Sequence, residues 1–242
     1  MDRFKPTQNN TKGFTLVELA VVVAVIALLL GSLLVPLTTQ VEQRKASQTQ
    51  KQLEEIREAL LGYAMVNGRL PRPALSENDG RERDVACGDA RDCTGFLPWV
   101  ALSLPKSDAW GKMIRYSVVP QYANGTFDFN TGGTLKTVQT RLADGSLANL
   151  ATNLAAVVIS HGPKNWGKTE DGSDVADSSD TNLDEDTNHA KFYCATAAEC
   201  TDFISRSQAT APGAPGGEFD DLVAWVPQTI VLSRMVAAGK LP

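Results

Sequence analysis

No G-x-S-x-G, H-E-x-x-H or P-loop string occurs in the 242 residues, and no EF-hand string does either. Histidine is limited to His161 and His189, and cysteine to four residues. Basic side chains are outnumbered, 23 Lys and Arg against 28 Asp and Glu, for a net charge of −5. Each shortage excludes something. Without a nucleophile elbow, a zincin helix or a phosphate cradle, the expectation is that this chain is not an enzyme. Ser160 and His161 are neighbours on an expected strand, so they point to opposite faces and cannot form a nucleophile–base pair. The acidic balance argues against holding nucleic acid through bulk charge. Arg81-Glu82-Arg83 and Arg91 offer only a small basic spot interleaved with acids. The cysteines fall as Cys87-x5-Cys93 and Cys194-x5-Cys200, wider than the two-to-four gap of structural zinc sites. Four cysteines allow three disulfide connectivities; in an oxidising compartment two local loops are the natural pairing, with zinc as the rival.

What the chain does have is one long apolar run. Of the 24 residues from Phe14 to Leu37, 16 are Phe, Leu, Val or Ile, and Glu18 is the only charge. About 20 such residues span a bilayer core as helix, which predicts a transmembrane helix over 14–37. Its Leu, Val and Ile, at roughly −0.3 to −0.6 kcal/mol each, outweigh the roughly 3 kcal/mol that a central charge costs. Arg3, Lys5 and Lys12 precede the run, and positive flanks stay cytoplasmic, so everything after Leu37 faces outward. A cleaved secretory signal would end in a small-residue site, and Leu34-Val35-Pro36-Leu37-Thr38 has none. A carboxylate inside such a segment needs a partner. If a peptidase cuts after Gly13, the new α-amine of Phe14 lies one turn from Glu18. That pair forms within one chain or between neighbours in an assembly, where it would fix the axial stagger. Removing residues 1–13 takes away three basic side chains and one acid, leaving a net charge of −7.

The string Gly13-Phe14-Thr15-Leu16-Val17-Glu18-Leu19 resembles the prepilin processing motif of the type IV pilin and type II secretion pseudopilin families. The resemblance implies a leader over 1–13, cleavage between Gly13 and Phe14, N-methylation of Phe14, and a role for Glu18 in assembly. It also implies three partners: a prepilin peptidase-methyltransferase, other pilin or pseudopilin subunits, and an inner-membrane assembly platform. Nucleic acid is not expected among them. The chain would cross the bacterial inner membrane once, with its N-terminus cytoplasmic and its C-terminal domain periplasmic, before entering a periplasmic or surface fibre.

Residues 38–68 read as a periplasmic continuation of the helix. Val41, Leu53, Ile56, Leu60, Tyr63 and Val66 or Asn67 recur at three- and four-residue steps, and Asn67-Gly68-Arg69-Leu70-Pro71 is a stop signal. A globular domain over 69–242 follows. Strands are predicted at Met113–Val119, Phe127–Phe129, Leu135–Leu142, Ala155–Ser160 and Phe219–Val226, with a closing helix over Thr229–Ala238. The segment from Gly162 to Gly217 is polar and reads as loop; Glu170 to Asp186 holds eight acids in 17 residues, a composition that is most often solvated. The expected class is α+β: a long N-terminal helix, transmembrane in its first half, packed on a small antiparallel sheet with long loops. That plan matches the pilin-like fold.

Downstream strings extend the resemblance. Asp108-Ala109-Trp110-Gly111, then Arg115-Tyr116, resembles the D-P-W-G…Y segment of type II secretion major pseudopilins. Val158 to Gly162, and later Asp220-Asp221-Leu222 with Trp225, resemble their glycine loop and closing D-x-D-I…W; residues 163–218 are not covered. In those proteins a calcium ion takes acids from the glycine loop and the closing aspartates. Asp220 and Asp221 stand in the second position, whereas Pro163 and Lys164 occupy the first. Asp171 and Asp174, or Asp177, Asp180, Asp184 and Asp186, are the acids on hand to substitute, since calcium takes six to eight oxygens. The function implied is a structural subunit of a secretion fibre. The alternatives are a minor type IV pilin in adhesion, motility or DNA uptake, and an unprocessed single-pass periplasmic calcium-binding module.

Overall fold

The computed structural model describes residues 13–241, with 30–37 described as backbone alone; the expected leader therefore lies outside the described residues up to Lys12. Two compact units are present, Met1–Arg44 and Lys45–Pro242. Helix α1 (Leu16–Asn67) begins in the first and ends in the second. In the first unit Phe14, Leu16, Val17 and Leu28 are exposed. Among the described residues no helix is long and apolar enough to cross a membrane. The span expected over 14–37 takes in residues 30–37, whose side chains lie outside the described residues.

In the second unit, α1 buries Leu53, Ile56, Leu60, Leu61 and Ala64. These are the three- and four-residue steps of one helical face. The last turn departs from the expected stripe: Ala64 carries it inward, while Val66 is 73% exposed. The helix ends at Gly68, whose φ of 75° turns the chain away.

Six strands follow: β1 (Thr94–Phe96), β2 (Arg115–Val118), β3 (Lys136–Arg141), β4 (Leu147–Ser160), β5 (Asp202–Ile204) and β6 (Leu222–Pro227). They run β1-β2-β4-β3-β5, with β6 also on β4. The 14-residue β4 organises the sheet, pairing with β3 through its first half and with β2 and β6 through its second. Helices α2 (Trp99–Leu102), α3 (Pro120–Ala123), α4 (Leu183–Ala190) and α5 (Gln228–Ala237) complete the described elements, with one 3-10 turn at Ala197–Cys200.

Three expectations need correction. The sheet is mixed, because β5 lies parallel to β3. No strand forms at Phe127–Phe129; Phe127 is instead a buried plug against Tyr122, ring centroids 4.7 Å apart, and Phe129 is exposed. The polar segment 162–217 is not simply loop, for it contributes α4 and β5. The reason lies in β4. Ala156 and Val158 face the core built on α1, whereas Val157 and Ile159 face a second cluster with Val138, Leu154, Phe192 and Phe203. A strand apolar on both faces needs both covered, and the polar segment supplies the second cover. Its acids follow it inward: Asp184 and Glu185, expected in solvent, are fully buried. The cysteines pair locally, Cys87 with Cys93 and Cys194 with Cys200, at Cα separations of 5.3 and 5.8 Å.

Candidate functional site

The first site is the start of α1. Thr15 Oγ1 accepts the Glu18 N–H at 3.2 Å, and the Glu18 carboxylate accepts the Thr15 N–H at 3.3 Å and its hydroxyl at 3.2 Å. This reciprocal pattern is a capping box, Thr-x-x-Glu, which satisfies donors that a helix start leaves open. The sequence carried the signal in Thr15-Leu16-Val17-Glu18, yet attention to the charge alone missed Thr15. All three bonds are long, exposed and made by uncharged donors. An α-amine brought to Glu18 would put a charged donor in the place of neutral ones, so the cap holds the carboxylate in place without committing it. Gly13 and Phe14 precede the helix in exposed, non-helical backbone.

The second site is buried in the other unit, where the three downstream strings converge. Asp108 builds the turn that carries its own string: its Oδ1 accepts the N–H groups of Trp110 and Lys112, both at 2.9 Å, and Gly111 takes a φ of 79°. Its Oδ2 accepts the Ser160 hydroxyl at 2.6 Å, which joins the turn to the end of β4. Burial pushes the Asp108 pKa up. Ser160 is thus bonded to Asp108, while the Nδ1 of His161 lies 3.1 Å from Asp221 Oδ1. The hydroxyl and the imidazole are bonded to different acids and not to each other.

Glu185, Asp220 and Asp221 bring carboxylate oxygens within 4.8 Å of one another. Asp220 and Asp221 were expected; Glu185 was passed over inside the acidic run. Asp171 and Asp174 are not in this group. Asp171 closes a turn with Thr169 and Ser173, and exposed Asp174 pairs with Lys168 at 2.9 Å. Burial, then the charges of Glu185 and Asp221, push the Asp220 pKa up to about 7. Burial also raises Glu185. Nearby His189 stacks on Trp166 at 3.9 Å, and burial lowers its pKa to about 4.

Does this cluster fit calcium? Both oxygens of Glu185 already have donors: Oε1 accepts the Asp220 N–H at 2.6 Å, and Oε2 accepts the side-chain amides of Asn165 and Asn182, each at 3.0 Å. Asp221 Oδ1 faces His161, and its Oδ2 accepts the Asn188 amide at 2.8 Å. Asp220 Oδ1 is the one carboxylate oxygen of the three acids that is buried without a hydrogen-bond partner. Calcium takes six to eight oxygens, and with Glu185 and Asp221 engaged the carboxylate of Asp220 alone does not make that set. The side chains as arranged do not fit the ion.

Residues 8–34 match the family described as the prokaryotic N-terminal methylation motif, the hallmark of type IV pilins and pseudopilins. No curated protein and no solved structure matches the chain.

Proposed function

We propose that this chain is a structural subunit of an envelope fibre, most closely a type II secretion pseudopilin, with no catalytic activity of its own. The observation that carries the reading is the methylation motif at residues 8–34, in which Glu18 is held at the helix start by an exchangeable cap. On this reading a prepilin peptidase-methyltransferase cuts after Gly13 and methylates Phe14. The helix beginning near Leu16 crosses the inner membrane once, and the unit from Lys45 onward lies in the periplasm. There the helix joins other pilin or pseudopilin subunits on an assembly platform. The new amine of Phe14 and Glu18 of a neighbour would pair in a medium where an uncompensated charge is costly. Support for a secretion subunit over a type IV pilin is that Asp108, the loop from His161 and the Asp220–Asp221 pair meet in one buried network.

The test is intact mass and N-terminal sequencing of membrane-extracted protein made with and without a prepilin peptidase. A start at N-methyl-Phe14 only with the peptidase is expected, and Gly13→Val should abolish it. An intact N-terminus in both preparations would sink the fibre reading and leave a single-pass binding protein. Choosing between machines needs a second assay, in which the chain complements loss of secretion or loss of pili.

A further inference from the structure

Lys112 is 4% exposed and yet ends in an ammonium group. Such a group carries three protons, and three main-chain carbonyls take them: Lys164 O at 2.6 Å, Asn165 O at 2.9 Å and His161 O at 3.2 Å. All three belong to the loop that leaves β4. Burial pulls the Lys112 pKa down, and the charges of Asp220, Asp108, Asp221 and Glu185 oppose that pull. The Asp108 turn fixes where the side chain starts, through the bond from the Lys112 N–H to Asp108 Oδ1. The loop is pressed against the acids at Gly162, where a Cβ would lie 2.3 Å from Asp220 Oδ1. Its φ of 57° likewise favours glycine.

Carbonyl oxygens with carboxylates beyond them are the surroundings a hard cation takes. We propose that the Lys112 ammonium is a tethered cation standing where the family resemblance implies calcium, so that the loop from His161 to Asn165 and the Glu185–Asp220–Asp221 cluster are held without a metal ion. A calcium ion entering the same space would have to displace the ammonium from its three carbonyls. One entering beside it would meet the ammonium's charge at short range, and would strip Glu185 and Asp221 of their amide and imidazole partners. The misfit of the carboxylates to calcium and the fit of the carbonyls to an ammonium are two sides of one arrangement. This inference does not depend on how the N-terminus is processed.

The experiment uses the full chain in detergent, with thermal unfolding and calorimetric titration in EDTA and in calcium chloride. For the wild type, the expected results are an unchanged Tm and no saturable heat. A stoichiometric calcium isotherm, or a Tm that falls in EDTA, would overturn the proposal without any variant being made. Lys112→Ala should lower Tm by on the order of 10 °C, since it leaves three carbonyls without their donor and removes the positive charge that faces Asp108, Glu185, Asp220 and Asp221. Calcium should restore part of that loss in the alanine variant, where the space is open, but not in Lys112→Met, where it is filled. A Lys112→Met protein with wild-type Tm would show that the ammonium holds nothing. A destabilised Lys112→Ala that ignores calcium would show that the space is not a cation site. Either result sinks the proposal.

Discussion

Asp184→Ala is expected to lower the stability of the folded chain by about 3–5 kcal/mol, the cost of removing one partner from a buried ion pair. Asp184 is fully buried at the start of α4 and holds two arginines at once. Arg141, from β3, reaches both of its oxygens at 2.6 to 3.0 Å, and Arg206 donates to Oδ2 at 2.7 Å. The two guanidiniums also hold main-chain carbonyls, Gly145 O by Arg141 and Gly217 O by Arg206, both within 2.8 Å. One carboxylate therefore ties together β3, α4 and the stretch from Arg206 to Glu218. Gly216 makes room for it, since a Cβ there would lie 2.0 Å from Asp184 Oδ2. Alanine would leave Arg206, which also lies over Phe219 at 4.6 Å, as a buried charge without an anion. Denaturant unfolding followed by tryptophan fluorescence checks the value. Asp184→Asn, which keeps shape and loses charge, should fall between alanine and wild type. A loss below about 1 kcal/mol would mean that Asp184 behaves as an exposed ion pair does, and that the segment is held elsewhere.

That prediction falls in the part of the chain that sequence reasoning served least. The second half of helix α1 was legible because its signals are periodic or local. They are Leu53, Ile56 and Leu60 at helical steps before a glycine stop, whereas the Thr15-x-x-Glu18 cap, equally local, was passed over. Strand β4 was legible at its apolar end, from Ala155 to Ser160, but its first half was not, because Leu147 to Asn153 alternates weakly and is mostly exposed. Residues 163–218 failed for a different reason. Hydrophobic patterning finds surfaces that water rejects, and this segment is buried mainly through polar groups that satisfy one another. Asn165, Asn182, Asn188, Asp184 and Glu185 are each at most 3% exposed, yet each reads in sequence as a solvated residue. Its large apolar anchors, Phe192 and Phe203, are too far apart to make a period. Lys112 was invisible as well, for nothing in Trp110-Gly111-Lys112-Met113 tells that its ammonium turns inward. The site residues named from the family strings were thus half of a network, and the partners that complete it came from the polar segment.

Lys136→Met is expected to stabilise the chain at neutral pH, the opposite sign to Asp184→Ala. Lys136 lies in β3 and is 1% exposed, with its Nζ donating to the Cys200 carbonyl at 3.0 Å and lying 5.8 Å from the Phe203 ring centroid. Desolvation lowers its pKa from 10.5 to about 7, against a weaker pull from Asp202. The sign of the linkage follows. Between about pH 7 and 10.5 the unfolded chain binds the proton that the folded chain has lost, so stability rises with pH across that window. Below the window the folded chain carries the full penalty, about 5 kcal/mol at 1.36 kcal/mol per pKa unit, of which about 4 kcal/mol is left at pH 7. Methionine removes that penalty and leaves the Cys200 carbonyl without its donor, which costs about 1–3 kcal/mol. The net gain near pH 7 is therefore about 1–3 kcal/mol. Unfolding curves at about pH 7 and about pH 10 decide the matter. At the higher pH the variant's advantage should vanish, since the wild-type amine is then neutral in the folded chain and only partly protonated in the unfolded one, which leaves less than about 1 kcal/mol of the penalty. Tyr63, whose pKa burial and its bond to Glu82 raise to about 12, makes stability fall as pH passes its unfolded value of 10.0, but equally in both proteins. Lys112 and the other titrating groups are common to both proteins, so the difference isolates Lys136. If the gap between variant and wild type stays constant with pH, Lys136 keeps its proton in the fold. The Cys200 carbonyl and the Phe203 ring would then suffice to hold a buried charge, and the parallel β5 strand would be pinned by an ion rather than by a neutral amine.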